Sequence, residues 1–230
     1  MGEKNKGKIR KKQRSGGSYS KHTLILITLL SIIFALQFII LDGDVDDYIT
    51  HTQDIFDGTY HTVITSLFLH MNLMHLISNL IGLFLFGRIV EKHFGKYIYF
   101  VFLFGGIIAN VVSNSIAHFL GQEFYSLGAS SGIASIIILG ILLEPFKLTT
   151  ILGWGLIAFD IWGLFQPDSP TNHLAHLGGY TALVIIYFFV EKSKKQKIKK
   201  GFLINVLLLL ALILLVLFLA VTEVIPILNS

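Results

Sequence analysis

The sequence predicts an all-α membrane protein of seven transmembrane helices, a six-helix core with an added C-terminal seventh. Three observations predict it. Hydrophobic residues make up 53% of the 230-residue chain against 14% charged, whereas soluble domains carry about 25% charged residues. The apolar residues fall in blocks close to the ~20 residues that a helix needs to cross the hydrocarbon of a bilayer. The basic residues occupy only those segments that seven spans would leave on one face of the membrane. Cysteine is absent, which excludes disulfides, thiolate catalysis and cysteine-ligated zinc.

Helices are predicted over residues 22–41, 62–87, 97–118, 129–145, 148–165, 172–190 and 202–222. The first follows a basic tail and resembles a secretory signal. It is longer than the roughly 7–15 apolar residues of a signal core. It also ends in Leu41-Asp42-Gly43-Asp44 rather than at a small-residue cleavage site, so it reads as a retained span. The second carries His70, Asn72, His75 and Asn79 before its cytoplasmic end. In the third, Gly105-Gly106 and Asn110 suit helix packing. The fourth and fifth are shorter and lean on Gly, Ser and Thr. The sixth opens with Asn172-His173-Leu174-Ala175-His176, and the seventh is apolar throughout. The chain thus divides into a basic flexible cytoplasmic tail (1–21), the six-helix core (22–190), a basic cytoplasmic loop (191–200) and the seventh helix with an outer C-terminus (201–230).

Of the 18 Lys and Arg residues, eight lie in 1–21, six in 191–200, and the others are Arg88, Lys92, Lys96 and Lys147. With the N-terminus in the cytoplasm, all of them fall on the cytoplasmic side, where positive charge is retained during insertion. Asp42, Asp44, Asp46, Asp47, Asp54 and Asp57 lie in the first outer loop. The chain is expected in the cell membrane. Its formal charge of +4 therefore points to anionic lipid headgroups and not to nucleic acid.

Polar groups inside spans are costly and become functional candidates. Three clusters qualify: His70, Asn72, His75 and Asn79 on the second helix; Gly128-Ala129-Ser130-Ser131-Gly132 opening the fourth; and His173 with His176 opening the sixth. These three helices run in the same direction, so Ser130 and His176 share a depth near the outer surface. Residues three and four apart bring Asn72, His75 and Asn79 onto one stripe. A serine hydroxyl needs a base to take its proton, and a neutral imidazole is the usual one. The oxyanion of an acyl intermediate needs donors aimed in advance, which Asn79, His75 and the free N–H groups opening the fourth helix offer. The small residues of the fourth helix, with Gly178, Gly179 and Ala182, let it approach the sixth closely. No acidic residue is obviously placed to orient His176, so the set reads as a dyad.

These residues resemble the rhomboid intramembrane proteases over about residues 58–190. The matching motifs are His70, His75 and Asn79 followed by Gly87, Glu91 and Gly95; Gly128-Ala129-Ser130; and Ala175-His176-Leu177-Gly178-Gly179. The resemblance implies a rhomboid-like fold in which Ser130 is the nucleophile, His176 the base, and His75 with Asn79 the oxyanion hole, supported by Gly128 and His70. The seventh helix resembles the addition of the six-plus-one subclass. Ser131 stands where the family has a Gly after its serine, so Ser131 is the alternative nucleophile. Tyr60-His61 stands where the first loop often has Trp-Arg.

The expected activity is cleavage of transmembrane helices of single-span or polytopic partner proteins, near the outer membrane face. No cofactor and no metal are expected. Two alternatives are a catalytically inactive, client-binding relative and a metal site or transporter lined by histidines. Their discriminants are Ser130, which a metal site leaves unexplained, and the paucity of carboxylates to orient imidazole ligands. Of the other polar residues, His70 reads as a hydrogen-bonder of the outer loop, His173 as interfacial, and Glu91 as a cap on the cytoplasmic turn. Asp160, within the fifth span, receives no role.

Overall fold

The computed structural model describes residues 20–144, 147–166 and 171–182; the predicted seventh helix, and the sixth beyond residue 182, lie outside them. The described residues are mainly helical, with one short antiparallel pairing between strands far apart in sequence. Its main helices are α1 (Lys21–Leu41), α2 (Leu73–Phe94), α3 (Ile98–Phe119), α4 (Ser130–Leu143), α5 (Leu148–Gly163) and α6 (residues 173–182).

Helix α1 spans 21 residues, about 31 Å at 1.5 Å per residue, enough to cross the hydrocarbon layer. Its free N-terminal amides are capped from elsewhere in the fold. Glu91 of α2 accepts from the backbone N–H of His22 (2.9 Å) and Thr23 (2.8 Å), and from the Thr23 hydroxyl (2.7 Å). The expected capping role of Glu91 is thus met, and its partner is a different helix. The N-terminus of α1 and the C-terminus of α2 consequently share one end of the molecule. Glu144 receives Lys92 and Lys147, each at 2.6 Å, which ties the ends of α2, α4 and α5 together there as well.

The predicted second helix over 62–87 is corrected at both ends. Residues 62–68 form a single α-turn and a single 3₁₀ turn, the chain extends at Leu69, and α2 runs from Leu73 to Phe94. The break has two local causes. Asn72 takes an extended backbone and its side chain accepts from the His75 N–H at 2.9 Å, so it is an N-cap and starts a new helix. Upstream, a polar network holds the chain against its neighbours. Thr50 Oγ1 donates to Thr62 O (2.7 Å) and lies 2.8 Å from Ser66 Oγ, while Asn110 of α3 donates to Val63 O and Ser66 Oγ, both at 3.1 Å. Val63, Leu67 and Leu69 are buried in protein; their apolar character reflects packing and not a span. This network, with Asn114 donating to His51 O at 2.8 Å, anchors the first loop, where Tyr60 and His61 are exposed.

Within that loop strand β1 (Thr50–His51) pairs antiparallel with β2 (Tyr125–Ser126), Thr50 opposite Ser126 and His51 opposite Tyr125. The core sits around α4, which packs on α2, α3 and α5. Twelve of its fourteen residues are buried, so it is a central strut. Large apolar residues are exposed on the outer helices, Ile39 at 77% and Ile151 at 70% among them, as a lipid-facing surface requires. At fourteen residues α4 is about 21 Å long, some 9 Å short of the hydrocarbon thickness. A cavity lies at its N-terminal end, lined by Ser130, Ser131 and Ile133.

Candidate active site

Strand β2 leads into α4 through Leu127, Gly128 and Ala129, and the approach is fixed on both sides. The Gly128 N–H donates to Ser66 O at 2.9 Å. Gly128 has φ +121°, and a Cβ there would lie 2.6 Å from His75 Cε1, 2.7 Å from His75 Nε2 and 3.4 Å from Asn79 Nδ2. Both the backbone angle and the missing side chain are needed for the chain to pass so near the two donors. Ser130 follows in the first turn of α4, partly exposed, whereas Ser131 is buried and its hydroxyl has no hydrogen-bond partner among the described residues.

Helix α6 is placed against this turn by its own cap. Asn172 Oδ1 accepts from the Ala175 N–H at 3.0 Å, and Asn172 Nδ2 donates to Ser126 Oγ at 2.9 Å, joining α6 to β2. One turn further on, Ser135 of α4 donates to the Gly179 carbonyl at 2.6 Å. A Cβ on Gly179 would overlap the Ser131 carbonyl oxygen, so the two helices touch backbone to backbone.

Ser130, His176, His75, Asn79 and Gly128 all line one cavity of about 530 Å³. Asn79 is 6% exposed and its Nδ2 is without a protein partner among the described residues, a buried donor available to an oxygen in the cavity. No hydrogen bond joins Ser130 to His176 among the described residues; catalytic contacts often close only when substrate is bound. Asn72 caps α2 at the rim of the cavity. His70 stands behind His75, its ring centroid 5.3 Å away. It is fully buried and neither ring nitrogen has a partner among the described residues; its backbone makes the hydrogen bonds, with the Gln37 side chain (2.8 and 3.1 Å). His70 is thus a hydrogen-bonder through its main chain, which α1 clamps, while its ring is packed.

Asp160 corrects the expectation that no acid lies near His176. Its Oδ1 accepts from His176 Nδ1 at 2.7 Å and from His173 Nδ1 at 2.8 Å, and its Oδ2 accepts from the Tyr180 hydroxyl at 2.7 Å. Asp160 and His173 are each 4% exposed, so His173 is a buried member of this network and not interfacial. Three donors replace the solvation that burial removes from the carboxylate. One ligand atom from each of Asp160, His173 and His176 lies within 4.8 Å of the others, close enough to ask whether they suit a metal ion. Ligands about 2.0–2.1 Å from a tetrahedral ion stand roughly 3.3 Å apart. The contacts of 2.7 and 2.8 Å are hydrogen-bond lengths, and the trio as arranged does not fit an ion.

The sequence contained a signal for Asp160. An acid inside a span is a candidate in itself, and α5 runs opposite to α6, so the end of one and the start of the next share a depth. Gln37 and Tyr180 carried less signal, since polar residues near helix ends are common at membrane interfaces.

Fold and site together define a helical, membrane-embedded protein with a serine–histidine cavity below one surface. The rhomboid domain model matches residues 57–193, more than half of the chain, and the chain belongs to the rhomboid family. It is 29% identical over 162 residues to RHOMBOID-like protein 12, mitochondrial, of Arabidopsis thaliana, covering 60% of this chain and 48% of that protein. It is 28% identical over 201 residues to Rhomboid-like protein 11, chloroplastic, of the same plant, covering 77% and 69%. A third relative there, Rhomboid-like protein 16, chloroplastic, is 27% identical over 178 residues, 65% of this chain and 55% of that protein. The chain thus spans about half the length of two of these relatives.

Proposed function

We propose that this protein is an intramembrane serine endopeptidase that cleaves transmembrane segments of other membrane proteins near the outer face. The observation that carries the reading is the convergence of Ser130, His176, His75 and Asn79 on one cavity, with Gly128 held against the two oxyanion donors. Ser130 Oγ attacks the scissile carbonyl carbon as His176 Nε2 takes its proton. The carbonyl oxygen becomes an oxyanion that accepts from Asn79 Nδ2 and His75. Its collapse breaks the C–N bond, the new amine leaves with the proton from His176, and water then hydrolyses the acyl-serine by the same route. Both serines line the cavity, and Ser130 is favoured because it is partly exposed whereas Ser131 is buried, with its backbone carbonyl against Gly179 of α6.

Two further features belong to the proposal. The charge asymmetry supports a cytoplasmic N-terminus and an outer-facing cavity mouth in the cell membrane, with a seventh helix returning the C-terminus to the outside. Peptide bonds of an intact helix are internally hydrogen-bonded, so a substrate segment has to unwind, which favours small or helix-breaking residues at the cut.

The test is cleavage of a model transmembrane substrate by detergent-purified protein. The unchanged protein and Ser131→Ala are expected to cleave, Ser130→Ala and His176→Ala are expected to lose activity by at least about 10³-fold, and chelators are expected to have no effect. Cleavage surviving in both Ser130→Ala and His176→Ala overturns the reading. An unchanged protein that binds the substrate without cutting it establishes the inactive, client-binding relative instead.

A further inference from the structure

We infer that Asp160 is a positioning residue for His176, so that this site works as an acid–imidazole–hydroxyl triad and not as a bare serine–histidine pair. The inference rests on the protease reading and deepens it. An ionised carboxylate only accepts hydrogen bonds, and Asp160 Oδ1 lies 2.7 Å from His176 Nδ1. That contact requires the proton of the neutral imidazole to sit on Nδ1, which leaves the Nε2 lone pair for the Ser130 hydroxyl. Of the two neutral tautomers, only this one can act as the base through Nε2.

The surroundings over-determine the arrangement. Asp160 is itself held by His173 Nδ1 on the same oxygen and by the Tyr180 hydroxyl on the other. Tyr180 stands one helical turn after His176 on α6, so the acid is gripped by the helix that carries the base. His173 is wedged against Gly163, where a Cβ would overlap its ring, and this packing presses the imidazole toward the acid from α5. Both carboxylate oxygens of Asp160 are thus engaged where it lines the cavity, and His176 has one orientation in which its Nδ1–H is satisfied. When Ser130 gives up its proton, the imidazolium that forms carries two N–H groups and a positive charge. Asp160, itself buried, stands 2.7 Å from one of those N–H groups, and a charge-assisted hydrogen bond to a buried carboxylate is strengthened. No proton passes to Asp160 in this step.

Asp160→Asn keeps the shape and removes the charge. The variant amide can turn its Nδ2 toward His176, and the imidazole must then offer a lone pair at Nδ1 and hold its proton on the wrong nitrogen. The experiment measures kcat and KM for a transmembrane substrate in detergent micelles, together with thermal unfolding. Asp160→Asn is expected to lose about 10²–10⁴-fold in kcat, with KM within about threefold and an unfolding midpoint close to that of the unchanged protein. A kcat within about threefold of the unchanged protein overturns the inference. Because Asp160→Asn can fail to fold, the unaltered protein gives a second readout. With ¹⁵N-labelled histidine, the His176 resonances, identified by their loss in His176→Ala, are expected to report the Nδ1–H tautomer. An Nε2–H tautomer overturns the inference. Absence of cleavage by the unchanged protein, or cleavage by Ser130→Ala, overturns the protease reading instead and the inference with it.

Discussion

At the scale of single residues, Gly128 does two things that no other residue does together. Its φ of +121° is costly for any residue with a Cβ, and a methyl there would stand 2.6 Å from His75 Cε1. Gly128→Ala is therefore expected to cost stability on the order of 1–3 kcal/mol through strain. Under the proposed mechanism its larger effect falls on activity, because relief of the contact would move His75 away from the oxyanion, and loss of one such donor costs about 10²–10³-fold in kcat. Thermal unfolding and substrate cleavage measured on the same preparation separate the two effects. An activity equal to that of the unchanged protein would remove His75 from the oxyanion role. That Ser130, His176, His75 and Asn79 come to one cavity was legible in the sequence because motif spacing and helix direction fix which residues share a depth. Asp160 was equally accessible to that reasoning, since it ends a helix whose neighbour begins with His176, but depth alone does not say which way a side chain turns. Ser130 and Ser131 differ in burial, which adjacent residues of identical type do not reveal in a sequence.

At the scale of elements, the short helices were legible as apolar blocks, and their ends as far as small residues allow. The start of α2 was not. Residues 62–69 are apolar and continue the hydrophobic pattern, yet they pack into the protein under the Thr50–Ser66–Asn110 network, a contact between segments far apart in sequence. The seam between α4 and α6 is the element-scale feature on which the site depends most. Gly179→Val would drive a side chain into the Ser131 carbonyl and to 2.9 Å from Ala134 Cβ, and is expected to cost about 1–3 kcal/mol by overpacking and to separate Ser130 from His176. Ser135→Ala at the same seam removes only the 2.6 Å bond to Gly179 O, worth about 0.6 kcal/mol between membrane helices. Reversible unfolding in mixed micelles should rank the two in that order; a larger loss for Ser135→Ala would mean that the hydrogen bond, and not the close approach, holds the seam. The other end of α4 has a pH signature. Burial raises the Glu144 carboxyl, but the hydrogen bonds and charges of Lys147 and Lys92 outweigh it and hold the group below its ordinary value of 4.5. The folded form thus binds that proton less readily than the unfolded chain does. The contribution is present above the ordinary value and lost as pH falls through the lowered one. Unfolding midpoints of the unchanged protein and Glu144→Gln are expected to differ by the equivalent of up to about 1 kcal/mol near neutral pH and to converge in acid. A gap that is constant with pH would assign the difference to packing.

At the scale of the whole molecule, the polar groups sort themselves between two ends, and this sorting makes the membrane orientation testable. Of the described cations, Lys21 begins the helix that Glu91 caps, and Lys92 and Lys147 meet on Glu144 at that same end. Arg88 and Lys96 flank them in sequence. The acidic residues of the first loop and the mouth above α4 lie at the opposite end, because α1 and α2 each run the length of the molecule. Retention of basic loops in the cytoplasm then predicts that the Ser130 cavity opens to the outside. The chain has no cysteine, so a single introduced thiol reports its own side without background. Asp47→Cys and Lys96→Cys both replace exposed residues, one at each end. In intact cells a membrane-impermeant maleimide is expected to label Asp47→Cys at once and Lys96→Cys only after the membrane is opened. The reverse pattern would turn the cavity to the cytoplasm and require substrates cut at their inner ends. Equal labelling of both before opening would mean that the segments between them do not cross the membrane as a unit, because α1 and α2, joined through Glu91, carry the two sites on opposite faces only if both helices span it.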